Sequence, residues 1–206
     1  MNELFTIGYS PHTLDSFLRI LVKYQITAVA DVRSSPYSQF KPEFNKDSFS
    51  NFLKEQNIAY VFLGDYCGAR VEDKNCYVNG KVDYNLVSSS SKFKEGLERI
   101  KKGMEKYRIV LMCAEKDPIT CHRTILICRN VLTKGIVIKH ILSSGMFEEH
   151  QDSEQRLMKI FNLNHPDLFR TEKQRLDDAY SRQGEKIAYE TIENSNDKLE
   201  NEKCLK

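Results

Sequence analysis

Apolar residues along this chain fall into short blocks that switch between two periods. Residues 4–8, LFTIG, form a compact run of strand length. In the segment after it, PHTLDSFLRILVKYQ, Leu14, Phe17, Leu18, Leu21 and Val22 recur at i, i+3, i+4, i+7 and i+8, the spacing of one apolar helix face. ITAVADVR, 26–33, is a β-rich run ending in charge, which suits a central parallel strand. Residues 34–47, rich in Ser, Pro and Asn, read as loop. Residues 47–56 predict a short helix with Phe49, Phe52 and Leu53 inside, and IAYVFLGD, 58–65, a further strand. Residues 66–84 have no period and carry Gly, Asn and Asp. A loop of that length in a compact domain is generally functional or disordered.

The alternation then resumes. Residues 91–106 predict a helix carrying Phe93, Leu97, Ile100 and Met104, and RIVLMC, 108–113, a strand. Asp117 and Pro118 read as the N-cap and first-turn proline of a helix that runs to about Lys134 and stops at Gly135. IVIKHIL, 136–142, is the last strand expected. Strands alternating with helices predict an α/β fold: a mostly parallel β-sheet flanked by helices, in a Rossmann-like or rhodanese-like three-layer arrangement. Sites on such sheets lie at the C-terminal strand ends. Those ends carry Gly8-Tyr9-Ser10, Asp31-Val32-Arg33, Gly64-Asp65 and Cys113-Ala114-Glu115. Beyond about residue 145 the pattern turns to polar helices, and NSNDKLENEKCLK reads as disordered. The organisation expected is an α/β domain over 1–145, a C-terminal helical extension over 146–192 and a tail over 193–206.

Composition narrows this little. A chain of 206 residues, 40% hydrophobic and 29% charged, suits one cored domain with appendages. A net charge of +2 does not announce nucleic-acid binding and leaves room for a local basic patch. No apolar run approaches the ~20 residues that span a bilayer, and the first residues lack the basic and apolar regions of a signal peptide. The expectation is a cytoplasmic protein with no membrane partner. Its six cysteines, at 67, 76, 113, 121, 128 and 204, are then expected to be mostly reduced.

The chemistry concentrates in MCAEKDPITCHR, 112–123. Cys113 falls where a buried strand emerges, and Cys121, His122 and Arg123 fall in the first turns of the next helix. A helix N-terminus presents free N–H groups that attract anions and lower thiol pKa values. Arg123 adds a guanidinium suited to phosphate, sulfate or carboxylate. Cys121, Ile125, Cys128 and Leu132 also share one helical stripe, so Cys121 and Cys128 equally fit a face turned to the sheet. As metal ligands, Cys113, Cys121 and His122 supply three, with Cys67 or Cys76 as a fourth. Their spacing is not that of a zinc ribbon.

Asp31, in an otherwise apolar strand, needs a partner or a function, and Arg33 points to the same side. The two form an internal ion pair that fixes the loop, or Arg33 faces the pocket of Arg123 while Asp31 orients an arginine or acts as a base. Glu115 is a second candidate acid or base. Tyr37, Phe40 and Phe44, among Gln39, Lys41 and Lys46, either stack nucleobases or pin the loop to the core. Arg70, Tyr77 and Tyr84 could close over a ligand.

Together, TIGYS, ADVRSSP, YVFLGDYCGAR, NGKVDY and LMCAEKDPITCHRTILICRNV resemble the uncharacterised bacterial and archaeal family known as domain of unknown function 488, over roughly residues 4–160. The resemblance implies an α/β domain and a site built from Asp31, Arg33, Cys113, Glu115, Cys121, His122 and Arg123. It implies no particular reaction. YCGAR stands where the family commonly has a Gly-Gly-Arg stretch, which sets Cys67 apart from a shared site. A looser likeness links the order of VADVR and IVLMC…CHR to rhodanese-like and low-molecular-weight phosphatase-type domains. Here, however, nine residues separate Cys113 from Arg123.

The reading favoured by the sequence is a Cys/Arg-dependent enzyme, a hydrolase or transferase, acting on a small anionic substrate: a nucleotide, a nucleic acid or a sulfur compound. Cys113 is its nucleophile, and Asp31, Glu115 or His122 move protons. Arg33, Arg70, Arg123, Tyr9 and Ser10 hold substrate. One alternative is a non-catalytic nucleotide- or nucleic-acid-binding module. Another is a metal-binding or redox-responsive Cys/His domain through Cys113, Cys121 and His122. The sequence names no cofactor and sets no oligomeric state.

Overall fold

A computed structural model describes residues 2–132, 135–166 and 168–191. Strand β1 (Asn2–Gly8) leads through helix α1 (Leu14–Lys23) to β2 (Ala28–Asp31), then through α2 (Lys46–Glu55) to β3 (Ala59–Phe62). Next come α3 (Gly64–Cys67), a hairpin of β4 (Tyr77–Val78) and β5 (Lys81–Val82), α4 (Tyr84–Ser89) and α5 (Ser91–Met104). Strand β6 (Ile109–Cys113) precedes a helical stretch that ends in α6 (Arg129–Val131). Strands β7 (Ile136–Ile141) and β8 (Phe147–Glu149) and helices α7 (His150–Ile160) and α8 (Glu172–Ile187) complete the order. Six strands form one sheet in the order β3-β2-β6-β1-β7-β8, parallel except at the β7–β8 edge.

Alternation along the strands gives the sheet two apolar faces, as buried parallel strands require. Leu4, Ala30, Leu111 and Cys113 face α5 and the helical stretch after residue 123. Phe5, Ile7, Val29 and Met112 face α1 and α2. Thr13 starts α1 with a reciprocal cap to Ser16, and the helix buries Phe17, Ile20 and Leu21. Val22, expected on that face, is exposed, because it lies about 100° past Leu21 on the helix. Phe44 is fully buried against Phe17 and Phe49 and pins the loop after β2, while Phe40 and Tyr37 are exposed.

Three expectations need correction. The last strand is β8, since the chain turns back at Gly145 and adds an antiparallel edge. Residues 66–84 are not featureless loop. Asp73 and Asp83 cap short turns, and Val82 N–H donates to the Tyr189 carbonyl, so the chain after α8 braces the hairpin. The helix expected from Asp117 to about Lys134 is broken. A 3-10 turn (Pro118–Thr120) gives way to a π-helical stretch (Arg123–Cys128) and then to α6. The wider π turn rotates the register, so every side chain from Arg123 to Cys128 is buried, between the sheet and α7–α8. Leu132, expected on the buried stripe, is exposed. Lys134 and the tail over 193–206, with Cys204, lie outside the described residues. Among the described residues no helix is long and apolar enough to cross a membrane.

Candidate functional site

The loop that carries the chemistry is zipped to the end of β1. Tyr9 N–H donates to the Cys113 carbonyl (2.9 Å) and Ser10 N–H to that of Ala114 (3.1 Å). A Cβ on Gly8 would lie 1.8 Å from the Glu115 carbonyl oxygen, so only glycine lets the loop cross here. The return is fixed by Asp117, whose carboxylate caps Ile119 N–H and takes a forked pair from Arg156 of α7 (2.9 and 3.2 Å).

That path brings four side chains together. The sulfurs of Cys113 and Cys121 each lie 3.0 Å from Glu115 Oε2 and 3.8 Å from His122 Nδ1. His122 Nε2 lies 3.0 Å from the Val32 carbonyl and donates its proton there, so Nδ1 is the ring atom that faces the thiols. Both cysteines and His122 are buried. Glu115 is an exposed residue whose carboxylate turns to the two thiols. Burial opposes ionisation at Cys121, but its hydrogen bond with Cys113, the Arg123 guanidinium and His122 hold its pKa well below the ordinary thiol range. The same hydrogen bond, with burial, pushes Cys113 well above it. Burial disfavours charge on His122, yet the Cys121 sulfur holds it above its ordinary value. Burial and Cys121 push Glu115 up.

Of the other expected site residues, Arg123 borders the cluster and the rest lie apart from it. Asp31 and Arg33 sit on the opposite face of the sheet from Cys113. Asp31 accepts from Arg33 Nε (2.9 Å), Nη2 (2.6 Å) and N–H (3.1 Å) and from the Tyr60 hydroxyl (2.7 Å). Arg33 also donates to the Phe44 carbonyl (2.9 Å) and stacks 4.9 Å over the Tyr9 ring. Arg123, fully buried, spends its donors on the loop's own backbone: Glu115 O at 2.5 Å and Lys116 O at 3.5 Å, with Thr6 Oγ1 at 3.4 Å. Neither guanidinium is laid open to an anion. Arg70 is exposed over the Tyr189 ring, Ser10 is exposed, and the Tyr77 hydroxyl donates to Val71 O. Cys67 and Cys76 are buried apart from the cluster, with burial pushing Cys67 up to about 12. They are therefore not its fourth ligand. Cys128 packs in the core against the sheet.

Tyr84 lies nearer the site. Its ring packs on Gly184 and Ile125, and it bridges the core over Cys113 and Cys121 to the one under α8. Burial first, then the charges of Cys121, Cys113 and Glu115, push its phenol above the ordinary range.

A buried chain of polar groups, absent from the sequence reading, runs from this site to α8. Thr6 Oγ1 meets His140 Nδ1 at 2.8 Å, and His140 Nε2 meets His150 Nδ1 at 2.9 Å. His150 Nε2 lies 3.2 Å from the Tyr180 hydroxyl, which donates to Glu154 at 2.9 Å. A guanidinium only donates and a carboxylate only accepts. From Arg123 at one end to Glu154 at the other, every link is thus directed the same way, and both histidines carry their proton on Nε2. The available signal was one histidine inside the apolar run IVIKHIL.

Burial holds both histidines neutral, His140 well below its ordinary value and His150 down to about 4. Unfolded, they titrate near 6.5, so the unfolded chain binds more protons between about pH 4 and 6.5. Stability is therefore expected to fall as pH drops through that window, by about 3 kcal/mol for His150 alone. Glu154, raised by burial, titrates in the opposite sense and offsets part of this. Urea midpoints measured from pH 7.5 to 4.5 check it, and a flat profile contradicts the assignment.

Comparison with known proteins adds one match. The model of a family described as "Domain of unknown function DUF488" matches residues 13–129, more than half of the chain. No curated protein and no solved structure matches, so the looser rhodanese-like likeness gains nothing from them.

Proposed function

The chain belongs to the DUF488 family, and from that premise we propose that its Cys113–Cys121–His122 cluster binds a divalent transition metal. One observation carries this: the three donor atoms lie within 4.8 Å of one another. Each sulfur is 3.8 Å from His122 Nδ1. Ligand edges in a tetrahedral zinc site are about 3.6 Å, from Zn–S near 2.3 Å and Zn–N near 2.0 Å. The anchoring of His122 Nε2 on the Val32 carbonyl supports the reading, since a ligating histidine usually donates its other N–H to such a partner. Two thiolates and an imidazole favour zinc or ferrous iron over magnesium or calcium. Binding would take the protons from both thiols and use the lone pair on Nδ1 of His122, whose own proton sits on Nε2.

Metal analysis of the purified full chain, with a cobalt titration, tests this. One equivalent per chain is expected, with thiolate-to-cobalt charge-transfer bands. Cys113→Ser and Cys121→Ser should each lower affinity more than about a hundred-fold. A wild-type chain that takes up no metal overturns the proposal.

A thiol enzyme acting on an anionic substrate is the second reading, favoured by the Arg123 backbone N–H that is aimed at Cys121 Sγ. It moves the nucleophile from Cys113 to Cys121, whose sulfur takes the Arg123 backbone N–H at 3.4 Å and lies against His122. A metal-free protein whose Cys121 alkylates rapidly at neutral pH would favour it over the metal centre.

A further inference from the structure

A cavity of about 430 Å³ lies beneath α8, lined among others by Asp83, Tyr84, Asn85, Arg129, Tyr180 and Gly184. Tyr84 belongs to this cavity and to the core around Cys113 and Cys121 at once. Its hydroxyl oxygen is buried and has no hydrogen-bond partner. A buried hydroxyl left unpaired is costly, and native structures rarely keep one without a ligand or water to satisfy it. The other members of the cluster are engaged. His122 is anchored on Val32, and Glu115 Oε2 spans the two thiols. A metal held by Cys113, Cys121 and His122 has three protein ligands, the number that leaves a fourth position exchangeable in reactive sites. With two thiolates on a divalent ion the centre is neutral, so that position accepts water or a small anion.

We propose that the centre is open, and that Tyr84, whose buried hydroxyl has no partner, donates a hydrogen bond to an exchangeable oxygen ligand or small anion in the fourth position. This rests on the metal reading above. Tyr84 is a ligand-positioning residue: it touches the incoming ligand and leaves the metal's own ligands unchanged. The exchange is a substitution, in which the anion's lone pair takes the place of the departing water's.

Azide added to the cobalt-loaded full chain tests it. The visible bands should shift with saturation as azide displaces water. Tyr84→Phe keeps the ring against Gly184 and Ile125, and should retain the azide-free spectrum while weakening azide binding about ten-fold. Cobalt bands that ignore azide mean a closed centre, with Glu115 as fourth ligand, and overturn the proposal. So does equal azide affinity in Tyr84→Phe. A protein that gives no cobalt bands at all refutes the metal reading itself, an outcome distinct from these.

Discussion

Asp31→Ala is expected to destabilise the fold by about 3–5 kcal/mol, the usual cost of removing one partner from a buried ion pair. Asp31 is fully buried and accepts from three Arg33 donors and the Tyr60 hydroxyl. Without it, the Arg33 guanidinium stays buried and uncompensated beneath Tyr9 and Phe44. The urea midpoint should fall by about 2 M, for an unfolding slope near 2 kcal/mol/M. Metal stoichiometry under native conditions should not change, because the pair lies across the sheet from Cys113. If Asp31→Ala costs less than about 1 kcal/mol, no more than a surface pair, the pair is not the brace described. If it abolishes metal uptake in a folded protein, the two faces are coupled in a way the geometry does not provide.

Arg123→Met is expected to act on both stability and metal. Methionine fills much of the volume but drops the bonds to Glu115 O, Lys116 O and Thr6 Oγ1. The loss of several charge-assisted bonds in a fully buried site should cost about 3–5 kcal/mol. The loop from Cys113 to Cys121 then loses its inner strut, and metal affinity should fall about 10–100-fold. Arg123→Lys should not restore it, because an ammonium cannot reach two carbonyls and a hydroxyl in one plane. Full affinity in a stable Arg123→Met protein would show that the loop is held by its strand contacts alone.

The sheet was legible because its strands are buried on both faces, so ITAVADVR and RIVLMC appear as unbroken apolar runs. The site was legible only in part. Asp31 and Cys113 both end strands, and β2 and β6 are neighbours, which suggested a shared pocket. Register decides otherwise. Asp31 pairs with Met112, so Cys113, one residue on, points to the other face. A single chain carries no register. The π turn after Cys121 was equally hidden, since RTILIC reads as ordinary helix, and only the packing of α7 and α8 around it buries all six side chains. The pairing of His140 with His150 depends on how α7 lies on β7, which local pattern does not encode. Tyr84 was singled out only for its place in a long aperiodic segment, and its lie between the two cores depends on how α8 packs over it.

The one-way order of the chain from Arg123 to Glu154 has a consequence for how it takes up acid. A proton arriving on Nδ1 of His150 meets the Nε2–H of His140 head-on, donor against donor. The clash is relieved only if His140 turns over its own proton, which in turn sets it against the Thr6 hydroxyl. Each group is thus locked by its neighbour's orientation. Acid should flip the line as a row of dominoes, in one concerted event spanning β1, β7, α7 and α8, in place of two independent histidine titrations.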